Sequence, residues 1–214
     1  MLYALLAALL FGVSIPLSKS LLGSWHEVPL AGTIYVSSGL ALFGARPFIR
    51  AGEPLRREHL GWLAGIVLFG ARLGGTCSLF GLRLTTGYAA ALLINLEAVF
   101  TTAIAVALFR ERLSLREWTA IALLVAGASV VSWGSSADAT APRPLLGALL
   151  VAFACLCWGF DNNFSRKIAS CDPLQIVGVK GIVAGALLLG GGAAAGVYPP
   201  ADFELLATAA GVGL

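Results

Sequence analysis

Seven side chains able to bind a polar solute or hold a proton lie inside long apolar runs: Arg72, Asn95, Glu97, Asp161, Asn162, Asn163 and Lys180. A charge at the centre of a bilayer costs about 2.5–3.5 kcal/mol on insertion scales, so each one there needs a partner or a use. At 1.5 Å per helical residue, Arg72 lies about 18 Å and Glu97 about 14 Å from the ends of their segments that meet the arginine-rich connectors. That spacing predicts an ion pair across adjacent helices, with Asn95 beside it. The pair would either brace helix register or bind substrate or a coupling proton in a central cavity. Asp161 and Lys180 form a second expected pair, about 6 Å and about 9 Å from the same face. Asn162 and Asn163 widen that patch, and Lys180 is near enough to the interface to snorkel. Bracing and a gate or substrate contact are again the two readings.

Other polar positions read more plainly. Glu111 stands among Arg110, Arg112 and Arg116 as a solvated interfacial cluster, and His26 with Glu27 falls in a connector. Cys155 and Cys157 lie in an apolar run with no metal-ligand spacing around them, and Cys77 and Cys171 stand alone. There is no Ser/His/Asp set, phosphate loop or paired histidine. No enzyme activity, cofactor or metal is expected.

The elements that must hold these residues follow from composition. The 214 residues are 58% hydrophobic and 12% charged, with a mean hydropathy of +0.90. A soluble domain carries about 25% charged residues, so the solvent for most of this chain is lipid. Apolar runs of spanning length fall near 1–22, 28–47, 59–81, 86–108, 116–134, 145–165 and 174–196, and an eighth begins near 204. Proline, serine and acidic punctuation separates them, as helix ends require. Period-2 alternation is missing, which argues against a barrel. Gly61 with Gly65 and Gly181 with Gly185 have the spacing of close helix contacts. Trp25, Trp62, Trp118 and Tyr198 fall near segment ends, as interfacial anchors do. The net charge of +3 resides in connectors rather than in a basic stripe, which excludes nucleic acid as a partner.

Lys and Arg set the topology. Arg46, Arg50, Arg56 and Arg57 occupy the second connector, Arg110, Arg112 and Arg116 the fourth, and Arg166 and Lys167 the sixth. Those connectors are expected in the cytoplasm, with a cytoplasmic N-terminus. The chain also repeats itself at an offset of about 144–147: Phe11-Gly12 with Trp158-Gly159, Ser18-Lys19 with Ser165-Arg166, Pro29-Leu30 with Pro173-Leu174, and Ala64-Gly65 with Ala210-Gly211. Five helices per repeat invert the second copy, the arrangement that lets transporter halves rock about a midplane site. The expected division is 1–134 for the first repeat, 135–144 for a linker and 145–214 for a second repeat that stops within its third helix.

Leu92-Leu93-Ile94-Asn95-Leu96-Glu97-Ala98-Val99-Phe100 leads to Arg110-Glu111-Arg112-Leu113 and then to a glycine-bearing helix, and Cys157-Trp158-Gly159-Phe160-Asp161-Asn162-Asn163 opens a second unit. The chain resembles EamA-type transporters of the drug/metabolite transporter superfamily. That resemblance implies an all-α integral membrane bundle of two inverted five-helix units, here about seven full helices and part of an eighth. It also implies multi-pass residence in the inner (plasma) membrane and export or exchange of a small-molecule substrate, with protons as a coupling partner. A single chain and a dimer both fit. The competing expectation is a non-transporting fragment or partner subunit of another membrane protein.

Overall fold

The structure, a computed structural model, describes residues 2–48, 52–110, 112–136 and 141–213. Helices account for most of them, in the order α1 (Leu2–Leu21), α2 (Glu27–Ala45), α3 (Leu60–Gly65), α4 (Thr76–Leu84), α5 (Gly87–Leu93), α6 (Leu96–Phe109), α7 (Leu115–Ser136), α8 (Pro144–Lys167), α9 (Pro173–Ala194) and α10 (Phe203–Val212). A 3-10 turn, Arg57–His59, precedes α3, and a π-helical stretch, Ile66–Gly75, joins α3 to α4. Arg57–Leu84 is thus one continuous third span, and Gly87–Phe109 is the fourth. Five spans are long and apolar enough to cross a bilayer: 27–45, 57–84, 87–109, 144–167 and 173–194. The protein is an all-α membrane protein, and the expected segments match the helices to within about three residues at each end.

Side-chain caps fix several helix starts. Thr86 Oγ1 accepts from Ala89 N–H at 3.2 Å, Asp172 from Leu174 N–H at 2.9 Å, and Asp202 from Glu204 N–H at 2.8 Å. Ser114 and Glu117 bond reciprocally at the start of α7, with Glu117 Oε2 accepting from Ser114 N–H at 2.7 Å. Each contact satisfies an orphan N–H of a first turn. Pro144 and Pro173 occupy first helical positions, where a missing N–H costs nothing.

Two spans depart from plain α-helix. The third takes i→i+5 bonding over Ile66–Gly75, a run rich in glycine. The fourth breaks at Ile94–Asn95, where Asn95 Nδ2 donates back to Leu92 O at 3.0 Å instead of reaching a neighbour. Cys155 Sγ lies 3.6 Å from the Leu93 and Ile94 carbonyl oxygens at that break.

The bundle closes on its glycines. The broadest helix contact joins α2 to α9. A Cβ added to Gly39 would lie 2.6 Å from Ile182 N, and one on Gly181 would lie 2.8 Å from Gly39 Cα. The Gly181/Gly185 spacing therefore marks a real backbone approach, and Gly65 likewise packs under the Phe164 ring, but Gly61 faces open space. Phe69, Phe160 and Phe164 stack between the third span and α8, with Phe69 and Phe160 centroids 5.1 Å apart. Trp118 and Tyr198 are exposed near helix ends, as anchors should be, whereas Trp25 is buried beneath the start of α2.

Polar contacts tie both ends of the bundle. At the arginine-rich end, Glu53 N–H donates to Ser170 O at 2.9 Å and Asp172 N–H to Glu53 O at 2.8 Å. Arg46 Nε reaches Asp172 Oδ2 at 3.3 Å, and Leu55 N–H donates to Gln175 Oε1 at 2.9 Å. At the opposite end, buried Glu27 pairs with Arg83, whose guanidinium also donates to Trp25 O. Lys19 caps the C-terminus of α4 by donating to Leu82 O and, at 2.7 Å, to Thr85 O. The connector reading of His26 and Glu27 missed this pair, because Glu27 and Arg83 are 56 positions apart and carry no local pattern. Glu111 and the middle of the expected linker, 137–140, lie outside the described residues.

Candidate functional site

Helix α8 places Trp158, Asp161 and Asn162 at i, i+3 and i+4, so one face carries an indole, a carboxylate and an amide. Asp161 is buried, and its Oδ2 forms an ion pair with Lys180 of α9, the partner expected from sequence. Its Oδ1 has no hydrogen-bond partner among the described residues. The π-helical stretch presses against this pair. A Cβ at Gly70 would sit 2.6 Å from Lys180 Nζ, so only glycine fits. The Gly70 carbonyl on the same stretch accepts from Trp158 Nε1 at 2.9 Å and from Tyr35 Oη at 3.3 Å. Tyr35, Gly70 and Trp158 thus form one polar layer directly over the ion pair.

On the other side of that layer lies a partly open cavity of about 400 Å³ lined by α1, α2, α4, α5, α8 and α10. Its polar groups are the hydroxyls of Ser14, Ser18, Ser38 and Ser78, together with Tyr35 and Trp158, and apolar side chains make up the rest. No lysine, arginine, aspartate or glutamate lines it. None of the seven candidates lines it either. Sequence reasoning weighted charge at membrane depth, and serines on four-residue spacing in α1 (Ser14, Ser18) carried no comparable signal. The repeat alignment did single out Ser18 and Trp158.

The seven candidates fall into four places. Asp161 and Lys180 sit under the Gly70 layer. Asn162 Nδ2 donates to Glu97 Oε1 at 2.7 Å and to Thr101 Oγ1 at 3.1 Å, and these residues share with Asn95 an open groove of about 480 Å³ beside α6. Glu97 occupies the first turn of α6, just after the break at Asn95, where the positive end of the helix dipole favours a carboxylate. Asn163 is fully buried and donates to Thr101 O and Gly159 O at 2.9 and 2.8 Å, which staples α8 to α6.

Arg72 corrects the first expectation. It does not meet Glu97 but lies exposed in a lateral groove of about 410 Å³, among leucines and valines of the third span and α9. The pairing assumed that consecutive spans are neighbours at that depth. The stretch that carries Arg72 packs against α8 and α9, and α6 packs against α8 and α7, so α8 stands between Arg72 and Glu97. Asn162 takes the place expected for Arg72.

The cysteines are all free thiols, and Cys171 Sγ lies 3.3 Å from His59 Nδ1 at the arginine-rich end. Among the described residues no three His, Cys, Asp or Glu side chains gather as a metal site.

A helical membrane bundle is what the resemblance led one to expect, and comparison with known proteins decides the family. Residues 1–133 match the EamA-like transporter family. The chain belongs to that family. It is also 28% identical over 221 residues to a protein of Methanothermobacter thermautotrophicus described as an uncharacterized transporter. The alignment takes in 96% of this chain and 64% of that relative, so the EamA chain described here spans somewhat under two thirds of the relative's length. No solved structure matches.

Proposed function

We propose that the protein is a secondary transporter that carries small metabolites across the cytoplasmic membrane, as an exporter or exchanger, by alternating access. The observation that carries this reading is the cavity of about 400 Å³ at the junction of six helices, floored by the Tyr35–Gly70–Trp158 layer and the Asp161–Lys180 pair. A solute resting on that floor has a buried, breakable polar contact between it and the arginine-rich end.

The helix contacts support two related halves. Exchanging α1 with α8, α2 with α9 and the third span with α10 maps the α2–α9 contact onto itself. The same exchange maps the contacts of α10 with α1 and α2 onto those of the third span with α8 and α9. This is the exchange expected for the inverted repeat 1–134 and 145–214, with a cytoplasmic N-terminus. Rocking of one half about α2 and α9 would open the cavity to alternate sides. Asp161 and Lys180 act as the gate under the cavity. Glu97, held by Asn162 and the first turn of α6, is the coupling group, with a proton as the coupled ion.

The test is flux. The full-length protein in proteoliposomes, given a broad panel of radiolabelled metabolites and an imposed pH gradient, should show saturable uptake or counterflow of at least one of them. Absence of substrate-dependent flux across the panel would refute the proposal.

A further inference from the structure

The lining of the central cavity says which chemistry can occupy it. An unpaired charge placed against apolar walls loses its hydration without compensation, and only a counter-charge or several oriented dipoles restore the balance. The cavity offers no counter-charge, because every charged side chain is absent from its lining. The nearest formal charges in α8 and α9, Asp161 and Lys180, neutralise each other behind Gly70. The dipoles are few and partly engaged. Trp158 Nε1 and Tyr35 Oη already donate to Gly70 O, leaving their rings as wall. Ser14 and Ser78 donate to carbonyls of their own helices, Phe11 O at 2.7 Å and Gly75 O at 2.8 Å, so their oxygens remain acceptors. No hydrogen bond engages the Ser18 or Ser38 hydroxyl among the described residues, so each can donate and accept.

We infer that the cavity binds an uncharged, amphipathic small molecule: a flat or compact apolar body with one or two hydroxyl- or amide-type groups. This inference rests on the transport reading and names its substrate class. The apolar body faces the Ile, Leu, Val and Ala walls and the two aromatic rings. The polar group meets Ser18 or Ser38. Cations and anions are discriminated against by what the wall lacks rather than by a repulsive residue.

The experiment compares three probes with one scaffold and different charge: indole-3-ethanol (neutral), tryptamine (cation) and indole-3-acetate (anion). Binding is read from thermal unfolding of the purified full-length protein in nanodiscs, titrated with each probe. Indole-3-ethanol should stabilise the protein, with an apparent affinity at least about tenfold tighter than either charged analogue. Ser38→Leu, which fills the cavity, should abolish the effect. Ser18→Ala, which removes the hydroxyl without adding bulk, should weaken it even if Ser38→Leu fails to fold. Equal or tighter binding of a charged probe would overturn the inference. So would the absence of stabilisation by all three, or stabilisation by indole-3-ethanol that neither variant alters. Metabolite flux that persists while the charge order is reversed would sink the substrate class and leave transport standing. Neutral-selective, variant-sensitive binding without flux of any solute would support the site and sink transport.

Discussion

Removing Lys180 alone should cost the protein far more than removing Lys180 and Asp161 together. Asp161 is buried, Lys180 is the one cation on its Oδ2, and its Oδ1 has no partner among the described residues. Lys180→Met therefore leaves a carboxylate with no counter-charge in a low-dielectric interior. By analogy with broken buried ion pairs this costs about 3–5 kcal/mol, or roughly a hundredfold to a few thousandfold in the folded-to-unfolded ratio at about 1.4 kcal/mol per tenfold. The carboxylate can escape part of the penalty by taking a proton. The variant should then be least damaged at low pH. Asp161→Asn strands the ammonium instead, and Lys180, being partly exposed, can recover more of its hydration, so the loss should be smaller. Asp161→Asn with Lys180→Met removes both charges and should return most of the stability. The assay is monodisperse yield and thermal unfolding of all three variants in detergent, measured at several pH values beside flux. Single variants as stable as the parent would refute the buried-pair reasoning. A stable double variant with normal flux would assign the pair to architecture and strip it of any gating role.

Three further outcomes follow from particular contacts. Gly39→Ala should destabilise by about 1–3 kcal/mol, the range for overpacking, because its Cβ would lie 2.6 Å from Ile182 N; Gly61→Ala, with nothing within 4 Å, should be neutral or slightly stabilising, and thermal unfolding of the two compares them. In a double-mutant cycle, Arg72→Met and Glu97→Gln should add to within about 0.5 kcal/mol in stability, while Glu97→Gln alone abolishes flux in folded protein; a larger coupling would restore the pairing that the structure denies. On a cysteine-free background, Phe48→Cys should react with an impermeant maleimide only from the cytoplasm and Tyr198→Cys only from outside, both positions being well exposed. Gly52 is unsuited to a label, since its φ of +85° favours glycine and an added Cβ would lie 2.7 Å from Asp172 N.

The fold was legible because its signals are long and redundant. A helix such as Pro144–Lys167 is announced by its proline, its apolar run and its closing Arg166 and Lys167, and any one of the three places it. The Asp161–Lys180 pair was legible for a related reason: two lone charges in consecutive helices, at similar depths, had no other partner within reach. Trp25 misled, since a tryptophan at a helix end reads as an anchor whether it points to the lipid headgroups or, as here, into the bundle.

Arg72 failed because consecutive spans were taken to be neighbours. Depth along a span follows from residue count, whereas the helix beside it is set by packing, and here the third span packs on α8 and α9 while α6 packs on α8 and α7. The glycines at 65, 70, 74 and 75 signalled close packing, but nothing in their spacing announced that the backbone would adopt i→i+5 bonding between Ile66 and Gly75. That same stretch carries the carbonyl on which Tyr35 and Trp158 converge, and the glycine on which Asp161 and Lys180 press. One local departure therefore hid the cavity floor. Of the charges that sequence singled out, Asp161 and Lys180 lie behind the cavity, while Glu97 and Arg72 lie in grooves apart from it. On the transport reading proposed above, a wall of serines and aromatics leaves substrate selection to shape and hydroxyl contacts, and the ion pair would open and close the floor.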